Sequence, residues 1–287
     1  MCETYSTSAA YNNGMPDHAE DIQAFNRKSA RLGLGDLANY HWYHTIDFPN
    51  GLVTPGIYDY RETIADFQFP DDMSGMRVLD VGSATGFFAF EFTKRGADVT
   101  SLELPSLREL DRFPGQTVEQ LIAKMEGMLG TPRRFTPEEM SFYLLDGPFE
   151  FCRKLLSISL RRCATTVYRI PEALAAEPKF DLVFLGDILI HTLNPLEALA
   201  AAASVCRGTL VLSQQMPESH DGQPMMVYRG GDTLSDDEIS WWTPNEPCFT
   251  QLLKKLGFAK VFRAGFHRGV VRPSGYRYER TILHAVR

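Results

Sequence analysis

The sequence predicts a doubly wound α/β domain built on a mostly parallel sheet of seven strands. Three observations carry this expectation. Short apolar runs alternate with helical patterns, as strands covered by helices on both faces require. The first apolar run closes in a glycine-bearing turn that opens a helix. The second, about twenty residues on, ends in an acidic side chain, Glu103.

The elements follow in order. The spacing of Ile22, Phe25 and Leu32 predicts a helix over 17–33, after a Ser/Thr/Asn-rich tail over 1–16 expected to be flexible. A block dense in aromatics, histidine and turn formers follows, Tyr40-His41-Trp42-Tyr43-His44 through Thr54-Pro55-Gly56. We take 17–74 as an N-terminal helical and aromatic cap. Arg77-Val78-Leu79-Asp80-Val81 is a buried strand stopped by Gly82, and the helix over 87–95 stops at Gly96. Further strands are expected over 97–104, 165–170, 180–185, 209–213, 260–265 and 280–286. Further helices are expected over 118–129, 149–162, 195–206 and 249–256, the last closed by Gly257. The segment 105–148 is too long for a strand-to-helix loop and carries its own helical pattern. It reads either as a helical lid over the mouth of the sheet or as a passive surface excursion, within a catalytic domain spanning 75–287.

Composition bounds the function. Hydrophobic residues make up 44% and charged residues 23% of 287, which supports a sizeable core and excludes a disordered chain. The net charge of −7 argues against broad binding to nucleic acid. Yet 260–287 holds seven basic residues against Glu279, a local net of +6, either a solvated face or a site for an anionic group. The five cysteines are odd in number and none has metal-ligand spacing, so no metal is expected and a reducing cytoplasm fits. No long apolar run predicts a membrane span.

The strongest motif is Asp80-Val81-Gly82-Ser83-Ala84-Thr85-Gly86. Glycine permits a sharp turn and close approach of a ligand, and the helix N-terminus behind it offers free N–H groups. Glu103, at the end of the next strand, can accept both hydroxyls of a ribose. The phosphate-binding pattern GxxxxGK[ST] is absent. Strand, turn, helix and acid in this order resemble the class I S-adenosylmethionine-dependent methyltransferases, whose fold is Rossmann-like. The resemblance covers about Gly75 to Arg287. It implies that Asp80, Gly82, Ser83, Ala84 and Gly86 wrap the cofactor's methionine and that Glu103 and Leu104 meet its ribose. It further implies that Ile170 and Pro171 flank adenine, and that Gly186 and Asp187, which match the fourth motif, also bind the cofactor.

A narrower resemblance is carried by Trp42-Tyr43-His44-Thr45-Ile46-Asp47, Gly186-Asp187-Ile188-Leu189-Ile190-His191, Asn194-Pro195-Leu196 and Trp242-Thr243-Pro244-Asn245. These look like the group related to tRNA wobble-uridine methyltransferases, which also holds many enzymes of small molecules. The long insertion and the lack of a basic N-terminal domain depart from the tRNA enzyme.

Methyl transfer needs an aligned nucleophile, and a hydroxyl nucleophile benefits from a base. His191, after the fourth strand, and His44, in the aromatic block, are the candidates, as base or as hydrogen-bond partner of the acceptor. Trp42, Tyr43, Trp241 and Trp242 would wall the site or pack the core. The expected activity is methyl transfer to oxygen, sulfur or nitrogen of a small metabolite. An RNA acceptor of the wobble-uridine type is the alternative, and a homodimer is left open.

Overall fold

The computed structural model describes residues 18–35, 37, 40–129, 133–219, 221–236 and 239–287. The expected tail over 1–16, the start of the first helix at Asp17 and the turn at Thr131-Pro132 lie outside them. The elements run α1 (His18–Arg31), β1 (Arg77–Val81), α2 (Phe87–Lys94), β2 (Asp98–Glu103), α3 (Val118–Leu129), α4 (Pro137–Ser141) and α5 (Gly147–Leu155). They continue with β3 (Arg161–Ala164), α6 (Ile170–Ala173), β4 (Phe180–Gly186), α7 (Pro195–Ser204) and β5 (Cys206–Gln214). The chain ends in β6 (Met226–Tyr228), β7 (Trp242–Pro244), α8 (Glu246–Lys255), β8 (Lys260–Val271) and β9 (Tyr276–Val286).

Seven strands form one sheet in the order β3-β2-β1-β4-β5-β9-β8. All neighbours through β5 are parallel, and β9 runs antiparallel to both β5 and β8. This is the expected doubly wound, mostly parallel sheet. Strand order reverses between β1 and β4, so the crevice beyond their carboxyl ends is where such a sheet places a ligand. One face is covered by α2, α5 and the cap. Phe87, Phe88, Phe90 and Phe92 of α2 are all buried there, together with Phe25, Trp42, Phe67 and Phe184. The other face is covered by α6, α7 and α8. The run Ala201–Ala203 of α7 is buried, and its small side chains bring that helix close to the sheet. Asn194 and Asn245 cap α7 and α8, each side chain accepting from a backbone N–H one turn on.

The third strand differs from the expectation. It lies at Arg161–Ala164, not at 165–170, and the helix before it stops at Leu155 rather than 162. Ser157, in the left-handed region at φ 55°, breaks that helix. β3 is an edge strand, so half of it faces outward and its Arg-Arg-Cys-Ala sequence lacks an apolar signature. The β-branched run after it looks like a strand, but Val167 and Ile170 turn inward to pack among the residues beneath α7. The last two strands are also longer than expected. They form a hairpin that projects past the end of β5, whose Gln214 pairs with Thr281.

Three segments surround the crevice. The cap segment around 40–60 is anchored to the hairpin tip, where Arg272 donates to the Gly56 carbonyl at 2.6 Å and its backbone N–H to Ile57 O at 3.0 Å. The segment 105–148 has its own small core of Leu107, Ile122 and Met140. It is tied to the cap through His41 N–H on Tyr143 O at 2.8 Å. The third is the stretch between β5 and β7, which meets the insertion where Lys124 Nζ donates to Ser235 O at 3.2 Å.

Candidate active site

The glycine turn is built by hydrogen bonds to the neighbouring strand. Gly82 N–H donates to Leu102 O at 2.9 Å, and Gly86 N–H closes the turn on Ser83 O at 2.8 Å. Gly86 has φ 94° and opens α2. A Cβ there would come within 2.8 Å of Phe90 and Phe149 ring atoms. At Gly82 a Cβ would sit 1.9 Å from Ile188 Cδ1. The backbone angle favours glycine at both places, and a Cβ at either would also have to displace a neighbouring side chain.

Glu103 ends β2 and is only 8% exposed. One carboxylate oxygen accepts from Ala84 N–H and the other from Leu104 N–H, both at 2.9 Å. Burial raises its pKa, offset in part by these N–H groups and by Arg162. Asp80 lies on β1 beside it. Burial, and then Glu103, push the Asp80 carboxyl up to about 7. Its Oδ2 is buried with no partner among the described residues. Arg162 stands behind this pair on β3, bonded to Asp146 at 3.1 Å with its guanidinium 3.9 Å above the Phe149 ring. Sequence reasoning missed Arg162 because its strand was placed four residues late.

His44 reaches the turn from the cap. Its N–H donates to Thr85 Oγ1 at 3.1 Å, and its Nδ1 lies 3.0 Å from the same hydroxyl. Burial drives its pKa down to about 3, so the ring is neutral at working pH. Next to it the Tyr43 ring lies tilted against Tyr58, with the ring centres 4.8 Å apart. Asp187 follows β4 and pairs with Arg280 of β9 at 2.7 Å. Arg280 belongs to the basic C-terminal run. Most of its companions are held in other contacts: Arg263 on Glu246, Arg268 on Glu279, Arg272 on Asp21 and Arg287 on backbone carbonyls.

His191 sits on a short 3₁₀ turn, Leu189–His191, after β4. Its Nδ1 lies 2.5 Å from Ile239 O. A carbonyl only accepts, so Nδ1 carries the proton and Nε2 keeps a lone pair. Trp241 N–H donates to Ile190 O at 2.7 Å, which fixes the 239–241 stretch over the histidine.

The four aromatic candidates separate. Tyr43 packs between His44 and Tyr58, and burial, then Tyr58 and Asp187, raise the pKa of its hydroxyl. Trp42 instead packs edge-on against Phe25, Tyr40 and Phe151 inside the cap, a core position that corrects its expected place as a site wall. Trp241 is buried with its indole N–H unpartnered among the described residues, near Phe113 of the insertion. Trp242 lies on β7 against Tyr228. Ile170 and Pro171 are also corrected. They open α6, and Ile170 is fully buried in the core, so the loop leaving the true third strand begins at Thr165. Among the described residues no group of three His, Cys, Asp or Glu is placed to hold a metal.

The sequence over residues 56–261 matches the family model described as a methyltransferase domain. The chain belongs to that methyltransferase family. It is an S-adenosylmethionine-dependent methyltransferase. The site fits that cofactor: Asp80 offers an orphaned acceptor, Glu103 a carboxylate beside the turn, and Gly82 and Gly86 a surface without side chains. A magnesium-protoporphyrin O-methyltransferase of Rhodobacter capsulatus is 42% identical over 50 residues, 16% of this chain and 22% of that protein. The match thus spans about a fifth of that relative's length. Among solved structures, magnesium protoporphyrin IX methyltransferase from Synechocystis PCC 6803 with bound SAM aligns with a TM-score of 0.45 and 15% identity. That alignment covers 96% of this methyltransferase and 87% of the other chain. The N-terminal domain of EvdMO1, solved with SAH and D-fucose, aligns with a TM-score of 0.49 and 16% identity over 95% of this chain and all of that one. No helix among the described residues is long and apolar enough to cross a membrane.

Proposed function

We propose that this methyltransferase acts on a small metabolite held between the cap, the 105–148 insertion and the β8–β9 hairpin. The observation that carries the reading is the convergence of these segments on one mouth. His44 joins the cap to the glycine turn, Arg272 joins the hairpin to the cap, and Asp111 of the insertion accepts from Leu193 N–H at 2.6 Å beside His191. Such walls suit a compact acceptor. An open basic face suited to a polynucleotide would need cations free of partners, and most of the C-terminal arginines are engaged.

Bound S-adenosylmethionine supplies an electrophilic methyl group on sulfur. The chain's own residues do the rest. Asp80 and the turn Gly82–Gly86 hold the amino-acid end, Glu103 and Leu104 the ribose, and the loop from Thr165 borders the base. His191 presents Nε2 as base or orienting acceptor for the nucleophile. Residues 17–74 act as a cap and 105–148 as a lid that exclude water.

The likeness of Trp42–Asp47 and Gly186–His191 to the wobble-uridine group names tRNA as the competing acceptor. Incubation with methyl-labelled cofactor, total tRNA and a metabolite extract tests the reading. Label is expected in the small-molecule fraction. Label in tRNA alone overturns it.

A further inference from the structure

We propose that Asp187 and Arg280 are the specificity pair of this site and that they anchor an uncharged hydroxyl group of the acceptor. This rests on the methyltransferase reading and goes further by naming the chemistry the site selects.

Position comes first. Asp187 directly follows β4, and its N–H donates to Ser213 O at 2.8 Å across the ends of β4 and β5. The next residue, Ile188, fills the space against Gly82. The loop carrying Asp187 therefore abuts the glycine turn at the point where strand order reverses. Arg280 approaches from β9, just beyond the Gln214–Thr281 pairing at the end of β5.

Hydrogen-bond bookkeeping then selects the ligand. Asp187 Oδ2 is used by Arg280 Nε at 2.7 Å, while Oδ1 is buried without a donor. On the arginine, Nη1 reaches only Glu279 O at 3.4 Å, and nothing among the described residues accepts from Nη2. One unpaired acceptor and one unpaired donor among the described residues thus lie on a pair whose charges already cancel. A hydroxyl serves both, donating to Oδ1 and accepting from Nη2. An ammonium would satisfy Oδ1 but meet the guanidinium charge. A carboxylate has no proton for Oδ1 and meets the aspartate charge. A thiol bonds weakly to either. The guanidinium stacks 4.8 Å from the Tyr278 ring centre, Tyr58 packs edge-on against that ring at 5.5 Å, and Tyr43 lies 4.8 Å from Tyr58, so the surroundings suit a flat, unsaturated ring bearing that hydroxyl.

The test is calorimetric binding to the protein saturated with S-adenosylhomocysteine. The probes are 7-hydroxycoumarin and its methoxy, amino and carboxy counterparts, with phenol, anisole, aniline and benzoate as a smaller set. In at least one set the hydroxyl compound should bind tenfold or more tighter than its counterparts. Asp187→Asn and Arg280→Gln should each erase that preference while changing S-adenosylhomocysteine affinity less than twofold. Arg280→Lys keeps the charge without the planar fork and should weaken the preference as well. The proposal is overturned if neither set shows a hydroxyl preference, or if both variants keep it. It is also overturned if Asp187→Asn weakens S-adenosylhomocysteine and leaves probe binding intact, since Asp187 would then serve the cofactor. Failure of the wild-type protein to bind S-adenosylhomocysteine at all would remove the underlying cofactor site, and this assignment with it.

Discussion

His44 and Thr85 form a reciprocal pair across the boundary between cap and glycine turn. The His44 N–H donates to the threonine hydroxyl oxygen at 3.1 Å, which leaves the hydroxyl proton for His44 Nδ1 at 3.0 Å. Thr85 is wholly buried, so each half of the pair depends on the other. Thr85→Val keeps the shape and removes both bonds. It should cost about 1–3 kcal/mol of stability, the usual penalty for buried groups left unpaired. It should also weaken cofactor binding, because the turn loses its tether. Urea unfolding and calorimetry with S-adenosylhomocysteine measure the two effects. Wild-type values in both would mean the contact is incidental.

The same histidine makes stability depend on pH. Its pKa is about 3 in the folded chain, against an ordinary value of 6.5. Between those values the unfolded chain takes up a proton that the folded chain refuses, so this contribution to stability is complete above about 6.5 and falls as pH drops toward 3. The limiting slope is about 1.4 kcal/mol per pH unit. His41, pushed down to about 4, adds in the same direction. Unfolding free energies at pH 4.5–7 should therefore show a steep acid decline, and His44→Asn should flatten it by close to one proton. An unchanged slope in that variant would place the titration elsewhere.

Asp80 predicts a pH dependence for cofactor binding. Its carboxyl is pushed up to about 7 by burial and by Glu103, so the free protein carries a proton there below neutrality. A ligand amino group donating to Oδ2 favours the ionised form. Affinity should then rise with pH by up to about tenfold per unit until about 7 and level off above it. Asp80→Asn should bind more weakly and lose the dependence over pH 5–7. A flat wild-type profile in that window would show that Asp80 is already ionised in the free protein.

Much of this site is legible in the sequence because its parts are local. Asp80, Gly82, Gly86 and Glu103 sit on consecutive elements whose apolar runs are buried on both faces, so motif and scaffold announce each other. The third strand is not legible. An edge strand needs no apolar repeat, and the β-branched run after it imitates one. Arg280 is hidden for another reason. Its partner lies 93 residues earlier, and only the antiparallel return of β9 brings the two together. Trp42 shows the opposite error. An aromatic residue beside a functional one suggests a wall, yet the cap needs its own core.

Asp111 ties the insertion to the segment that carries His191. Asp111 accepts from Leu193 N–H at 2.6 Å and from the Tyr168 hydroxyl, linking the segment to the loop after His191. Asp111→Ala should free 105–148 more than the rest of the chain, raising its amide exchange tenfold or more while β1 and β4 stay protected. In the unmodified protein, cofactor and acceptor together should slow exchange across the same residues. Uniform protection of the insertion with and without ligands would count against its acting as a lid.

His191 carries the last prediction. The Ile239 carbonyl fixes its proton on Nδ1, so the ring offers Nε2 as an acceptor without a change of tautomer. His191→Asn retains a polar group of similar reach but cannot take a proton. Cofactor affinity should be unchanged, because none of the turn's hydrogen bonds involves this ring. If Nε2 removes the nucleophile's proton, turnover should fall on the order of 10²–10⁴ and the acid limb of the wild-type pH–rate profile should disappear. His191→Gln should not restore it. A small loss with the profile's shape preserved would make the histidine an orienting group, as expected for a sulfur nucleophile that needs no base. His44→Asn is the matched comparison. Its ring is already neutral and bonded to Thr85, so the variant should lose stability and cofactor affinity while the pH–rate profile keeps its limbs.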